Sequence, residues 1–410
     1  MDFSEEIEYT EELREFEKEV QQWMEENVPE DLALPEILPR YGEVRSYEQW
    51  QKQCEFRRKL GAKGWLFPRL PREHGGGGLG RDHAVIIERE LTKRNTSPVS
   101  LQSPGGSLAV PVISAFGTEE QKKRFLPPMI RGEVYTYECF TEPEAGTDMA
   151  NQQTNAPRAV REKEWFIING QKMFSSGHYP PPDQFLLLTR SDLEAPKHEN
   201  LAMFICPANL PGISITPLDL FIPFATNQIF FEDVRLHESF LLGGDHDGWK
   251  MANAALAAEH GAGRGSRKEG RRGKRNACIP RNVVADRLFA QCKNNPNIAR
   301  RLRENPHLLD TLADIYIGAQ IERLFRIRSH GGKTGPYGGP QEFLYSKMFT
   351  AKLAAGMQEI LGPYALVDST EWCLDEGIFE RGQRHAIATA PGGTPESLKI
   401  IIARALGIGR

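Results

Sequence analysis

The stretch Tyr137–Gly177, YECFTEPEAGTDMANQQTNAPRAVREKEWFIINGQKMFSSG, decides how the rest of the chain is read. Its first half contains Thr141-Glu142-Pro143-Glu144-Ala145-Gly146-Thr147-Asp148, a polar run of turn formers in which Gly146 permits close backbone approach to a ligand. Glu164–Ile168 is rich in aromatic and β-branched residues and reads as a strand. Asn169-Gly170 is a strong hairpin signal, and Lys172–Ser176 follows as the expected return strand, ending in the hydroxyls of Ser175 and Ser176. A loop with exposed amides and hydroxyls beside a short sheet could hold a flat polar ligand. A surface hairpin has the same features, and on these features alone it is the favoured reading.

Around this stretch, residues 136–240 carry short β-rich runs at Trp165–Ile168, Gln184–Thr189, Ala202–Cys206, Gly212–Pro217 and Gln228–Val234. Turn residues separate them, so a small domain of short antiparallel strands is expected. Upstream, Ile7, Leu13, Phe16, Val20 and Met24 recur on one helical face, and Pro29 ends that helix. Further helices are expected at Tyr47–Leu60, Asp82–Lys93 and Leu108–Phe116, the last stopping at Gly117. Gly75-Gly76-Gly77-Gly78 lacks a following GK[ST] and reads as a flexible loop rather than a phosphate loop. Downstream, Trp249 onward, Leu308–Arg328, Phe343–Leu361 and Pro395–Gly407 are helical. The fold class is therefore mainly α with a middle β domain: 1–135 helical, 136–240 β, 241–410 helical.

The chain has 410 residues, 26% charged, and a formal net charge of −4. That balance gives no global attraction to nucleic acid or an anionic membrane. The acidic first twenty residues carry no signal or transit pattern, so a cytoplasmic location is expected. No apolar run approaches the roughly 20 residues that span a bilayer. Cys54, Cys139, Cys206, Cys278, Cys292 and Cys373 are scattered, which reads as isolated thiols; the dispersed histidines give no metal-site spacing. Gly261–Arg275, GAGRGSRKEGRRGKR, discourages a helix, and a loop or a helix restarting near Pro280–Val284 is expected. It is either a solvated basic loop or an electrostatic seat for the phosphates of coenzyme A or FAD.

TEPEAGTD followed by NGQKMFSSG resembles the flavin-binding signature of acyl-CoA dehydrogenases. Three further blocks resemble that family in the same order. They are Gly117–Pro128, Phe230–Arg235, and Gly392-Gly393-Thr394-Pro395-Glu396 with Ile400–Arg404 and Leu406-Gly407. The resemblance implies an N-terminal helical domain, a middle β domain and a C-terminal helical bundle. It further implies FAD, an acyl-CoA substrate, an electron-transfer flavoprotein as acceptor, and a homodimer or homotetramer.

In such enzymes a carboxylate takes the α-proton of the thioester while the β-hydrogen passes as hydride to flavin N5. Many members carry that Glu immediately before Gly-Thr, where this chain, like some bacterial-type members, has Gly392. Others place it on the helix after the middle domain in Leu-x-x-Glu-Arg. Leu256-Ala257-Ala258-Glu259-His260 matches this, which makes Glu259 the expected base, with His260 in place of Arg. The resemblance also puts the Gly392 N–H against the thioester carbonyl. It puts Phe140 and Thr141 on the flavin ring, and Gly146 and Thr147 near flavin phosphate and substrate pantetheine. Phe174 stands where relatives often have Trp, Ser176 where they have a Thr bonding N5, and Thr394 and Glu396 in the C-terminal FAD-holding turn. Gln358–Pro363 and Arg287-Leu288-Phe289 depart from the family's pattern. Two other readings remain: a non-catalytic partner subunit of a hetero-oligomer, and a flavin oxidase or monooxygenase of the same fold.

Overall fold

The computed structural model describes residues 10–29, 46–94, 101–151, 157–177, 181–221, 226–259, 282–330, 337–369, 371–387 and 393–408. Gly392, His260, Cys278, Ile7 and the basic run 261–275 lie outside the described residues.

The first described helices are α1 (Glu11–Asn27), α2 (Tyr47–Ala62), α3 (Arg81–Lys93), α4 (Gly106–Phe116) and α5 (Glu119–Ile130). Their starts are chemically marked. The Thr10 hydroxyl accepts from Leu13 N at the head of α1. Ser46 with Gln49, and Thr118 with Gln121, form reciprocal capping boxes on α2 and α5. Gln121 also donates to Leu241 O at 2.6 Å, tying α5 to the far end of the β region. The four-glycine run is not a slack loop. A Cβ on Gly76 or Gly77 would come within 3.0 Å of the Leu70 or Pro68 backbone, so these glycines are there for close packing.

Eight strands follow among the described residues: β1 (Thr136–Cys139), β2 (Arg158–Glu162), β3 (Trp165–Ser176), β4 (Gln184–Arg190), β5 (Leu201–Pro207), β6 (Ile213–Leu218), β7 (Thr226–His237) and β8 (Leu241–Leu242). They form one sheet in the order β6-β7-β3-β2-β4-β5-β8, with β1 beside β4. Most pairings are antiparallel, but β1 and β2 both pair with β4 in parallel. β4 and β5 are buried on both faces, which is why LLL and LAMFIC read as unbroken apolar runs. Leu186, Leu188, Leu201, Met203 and Ile205 join the N-terminal helices in one core. Phe185, Leu187, Ala202, Phe204 and Cys206 build a second core on the opposite face.

The expected hairpin at Asn169-Gly170 is absent. Trp165–Ser176 is a single strand, paired with β7 along both halves. Asn169 exchanges hydrogen bonds with Asp233 across that pairing, Nδ2 to Oδ1 at 2.9 Å and Asp233 N to Oδ1 at 2.8 Å. The dipeptide therefore accommodates a bulge. The reversal lies earlier, between β2 and β3, at Lys163 with φ +58°.

Beyond the sheet, α6 (Gly248–Glu259) lays Met251, Ala252 and Ala255 into the first core. The C-terminal region comprises α7 (Val283–Asn294), α8 (Pro296–Glu304), α9 (His307–His330), α10 (Gly338–Leu361), α11 (Ile378–Ile387) and α12 (Pro395–Ala405). Asn282 caps α7, so a helix does begin close to Pro280–Val284. Gly318 on α9 faces Phe349 on α10, and Gly356 on α10 faces Ile315, with no room for a Cβ at either crossing. Helices α7 to α11 share a separate core built on Leu288, Ile315, Phe349, Leu353, Met357 and Phe379. No helix among the described residues is long and apolar enough to cross a membrane.

Candidate active site

The polar loop leaves β1 at Cys139 and turns back at once. Glu142 N donates to Ala145 O at 3.0 Å and Ala145 N to Glu142 O at 3.2 Å, which fixes TEPEA as a tight turn. Phe140 is buried, Thr141 half-buried, and Gly146 and Thr147 exposed. A Cβ on Gly146 would meet open space.

The end of β3 lies against this loop, with a second bulge between Lys172 and Ser175. Met173 N donates to Thr141 O at 2.8 Å. The Ser175 hydroxyl donates to Glu138 O at 2.6 Å. Between these ties Phe174 takes φ +56°, a left-handed conformation that a bulky residue rarely adopts, and leaves 51% of its surface exposed. A strained, solvent-facing aromatic marks a candidate functional position. Ser176 is exposed beside it, and Thr226, paired with Ser176, has a buried hydroxyl with no hydrogen-bond partner. Asn227 Nδ2 holds the turn by donating to Ser175 O at 3.1 Å and Gly177 O at 2.7 Å. The result is an aromatic surface edged by hydroxyls, with open space at the loop. That donor set fits the flat, hydrogen-bonding ring system of a flavin.

Below this surface lies a charge cluster that sequence reading missed. Lys172 Nζ donates to Glu142 Oε1 at 2.7 Å and to Phe140 O at 2.9 Å; Arg190 Nη2 lies 3.3 Å from Glu142 Oε2. All three side chains are buried. Burial pulls the Lys172 pKa down, and the Glu142 carboxylate opposes it. Burial pushes the neighbouring Cys139 thiol up to about 12. A buried Lys in NGQK paired with the Glu of TEP was the only available signal, and nothing local links the two.

The structure thus brings Phe140, Thr141, Phe174 and Ser176 together. Thr394 and Glu396 lie elsewhere, at the head of α12, which packs on α10. The Thr394 hydroxyl accepts from Ser397 N at 3.2 Å as the helix cap, and Glu396 is exposed in the first turn. Glu259 closes α6; its side chain, like Gly392, lies outside the described residues.

Helices, a middle sheet with a bulged aromatic–hydroxyl edge, and further helices form the architecture of an acyl-CoA dehydrogenase, and the sequence relatives make the chain an oxidoreductase. Family models agree: the acyl-CoA dehydrogenase N-terminal domain matches residues 10–133 and the middle domain residues 138–234. Acyl-CoA dehydrogenase IpdE1 from Mycolicibacterium smegmatis is 30% identical across 97% of this chain and 98% of its own. A solved structure described as the Tcur3481-Tcur3483 steroid ACAD is 25% identical, covers all of both chains, and superposes with a TM-score of 0.71. The ChsE4-ChsE5 complex from Mycobacterium tuberculosis shares the fold, with a TM-score of 0.70 at 24% identity over 98% of this chain and 99% of that one. The chain belongs to the acyl-CoA dehydrogenase family.

Proposed function

We propose that the protein carries out FAD-dependent α,β-dehydrogenation of an acyl-CoA thioester, with Glu259 as the base. The observation that carries the reading is Phe174, held half-exposed in left-handed backbone beside Ser176 and Thr141. FAD supplies the hydride acceptor when bound.

In this reading Phe140, Thr141, Phe174 and Ser176 hold the flavin ring. The exposed Gly146 and Thr147 serve the flavin phosphate and the pantetheine arm. Thr394 and Glu396 complete the cofactor site from the N-terminus of α12, where the helix dipole favours a phosphate. Glu259 takes the α-proton, and the Gly392 N–H donates to the thioester carbonyl and so stabilises the charge that develops there. An electron-transfer flavoprotein is the acceptor. A steroid ACAD among the structural relatives makes ring-bearing acyl groups the first substrates to try.

Glu259→Gln should retain FAD and lose reduction by acyl-CoA. Rapid reduction of that variant would remove Glu259 from the role of base.

Gly392 supports a second arrangement, in which a different chain completes the site; a structural relative is described as a ChsE4-ChsE5 complex. Native mass spectrometry distinguishes the two. A homo-oligomer loaded with FAD and active on acyl-CoA excludes the shared site.

A further inference from the structure

The geometry points to Lys172 as a positioning residue: its buried ammonium clamps the loop Phe140–Thr147 to the bulged end of β3 and so sets the gap that receives the flavin ring. This inference deepens the FAD reading above and rests on it.

Three consecutive loop residues are gripped by two consecutive strand residues. Lys172 Nζ reaches Phe140 O and Glu142 Oε1, at 2.9 and 2.7 Å. Met173 N reaches Thr141 O at 2.8 Å. The next residue is Phe174, in its left-handed conformation. Both walls of the aromatic–hydroxyl edge therefore hang from one point. The loop side is further fixed because Glu142 closes its own turn with Ala145 and is held on its other oxygen by Arg190.

A scaffold alone does not call for a charge here. An apolar side chain of similar length would fill the space without desolvating an ammonium, and buried ion pairs rarely surpass such replacements in stability. What the ammonium adds is direction: donors aimed at two acceptors two residues apart, which an apolar side chain cannot provide. The cluster also has two cations for one carboxylate, and Arg190 Nε and Nη1 have no hydrogen-bond partner. Removing Lys172 leaves the charge-balanced Glu142–Arg190 pair, so Lys172→Met should fold.

The test uses hydrogen exchange on the FAD-free protein, then FAD titration. Lys172→Met should accelerate exchange across Thr141–Thr147 at least tenfold while β5 stays protected. It should weaken FAD binding at least tenfold and shift the visible band of the flavin still bound. Lys172→Arg should recover part of both effects. Unchanged loop exchange in folded Lys172→Met overturns the clamp. Faster exchange with unchanged FAD affinity overturns its link to the cofactor. Should Lys172→Met not fold, Lys172→Gln, which also leaves the Glu142–Arg190 pair charge-balanced but is too short to span both acceptors, must move both readouts in the same direction, and no movement overturns the inference. A wild-type protein that binds no FAD, with the exchange result intact, removes the FAD reading and leaves the clamp standing.

Discussion

Phe174→Gly should separate stability from cofactor binding. A bulky L-residue in left-handed backbone costs roughly 1–2 kcal/mol, and glycine removes that cost. Against it stand about 0.5–1 kcal/mol of added backbone entropy loss and the lost burial of the ring. Full burial of a Phe is worth about 1.5–3 kcal/mol, and Phe174 is 51% exposed, so about 1 kcal/mol is forfeited. These nearly cancel, and the FAD-free variant should lie within about 1 kcal/mol of wild type. A core Phe truncation would instead cost about 3–5 kcal/mol. The aromatic face lost to the flavin is worth about 0.5–1.5 kcal/mol, which means roughly two- to tenfold weaker FAD binding. Urea denaturation of the FAD-free protein and fluorescence titration with FAD give the two numbers. A loss of more than about 3 kcal/mol would show that Phe174 is a packing residue. An unchanged FAD affinity would show that its ring faces no flavin.

Three further outcomes follow from the same geometry. Gly177→Ala should destabilise the protein by about 2–4 kcal/mol, because its Cβ would run into the buried Tyr137 ring at φ +153°; a thermal midpoint equal to wild type would contradict this. Burial alone would raise the Glu90 pKa, but hydrogen bonds from Lys93, Gln21 and Arg94 outweigh it and hold the carboxyl below its usual value. The stability this adds is therefore complete above the unfolded value near 4.3 and lost as pH falls through the folded one. The difference in thermal midpoint between wild type and Glu90→Gln should narrow below about pH 4, and a pH-independent difference would count against the network. Burial pushes the Cys139 and Cys292 thiols up, to about 12 and about 11, so iodoacetamide at pH 8 should leave both unmodified in the native protein. Rapid labelling of either by mass spectrometry would contradict their burial.

Much of the fold was legible because its signals are local. Leu13, Phe16, Val20 and Met24 recur along one face of α1, and Val20 and Met24 are buried there. The apolar runs of β4 and β5 mark strands buried on both faces. What escaped reading depends on distant partners. Asn169-Gly170 has the local chemistry of a turn, but pairing with β7 on both sides of it keeps the strand continuous. β1 is a strand only because β4, some 48 residues on, runs parallel beside it. The clamp joins residues 30 and 48 apart, so its charges look like ordinary surface residues in sequence. At the site, Phe174 and Ser176 were named by resemblance, whereas the left-handed backbone that presents Phe174 has no local sequence signal.

Anaerobic absorbance titration of the FAD-loaded protein with acyl-CoA thioesters, straight-chain through ring-bearing, tests the central claim most directly. The account predicts that some of these thioesters bleach the oxidised flavin band and that Glu259→Gln abolishes the bleaching. A bound flavin that no thioester bleaches, yet oxygen rapidly reoxidises after chemical reduction, would contradict it and indicate an oxidase or monooxygenase built on the same fold.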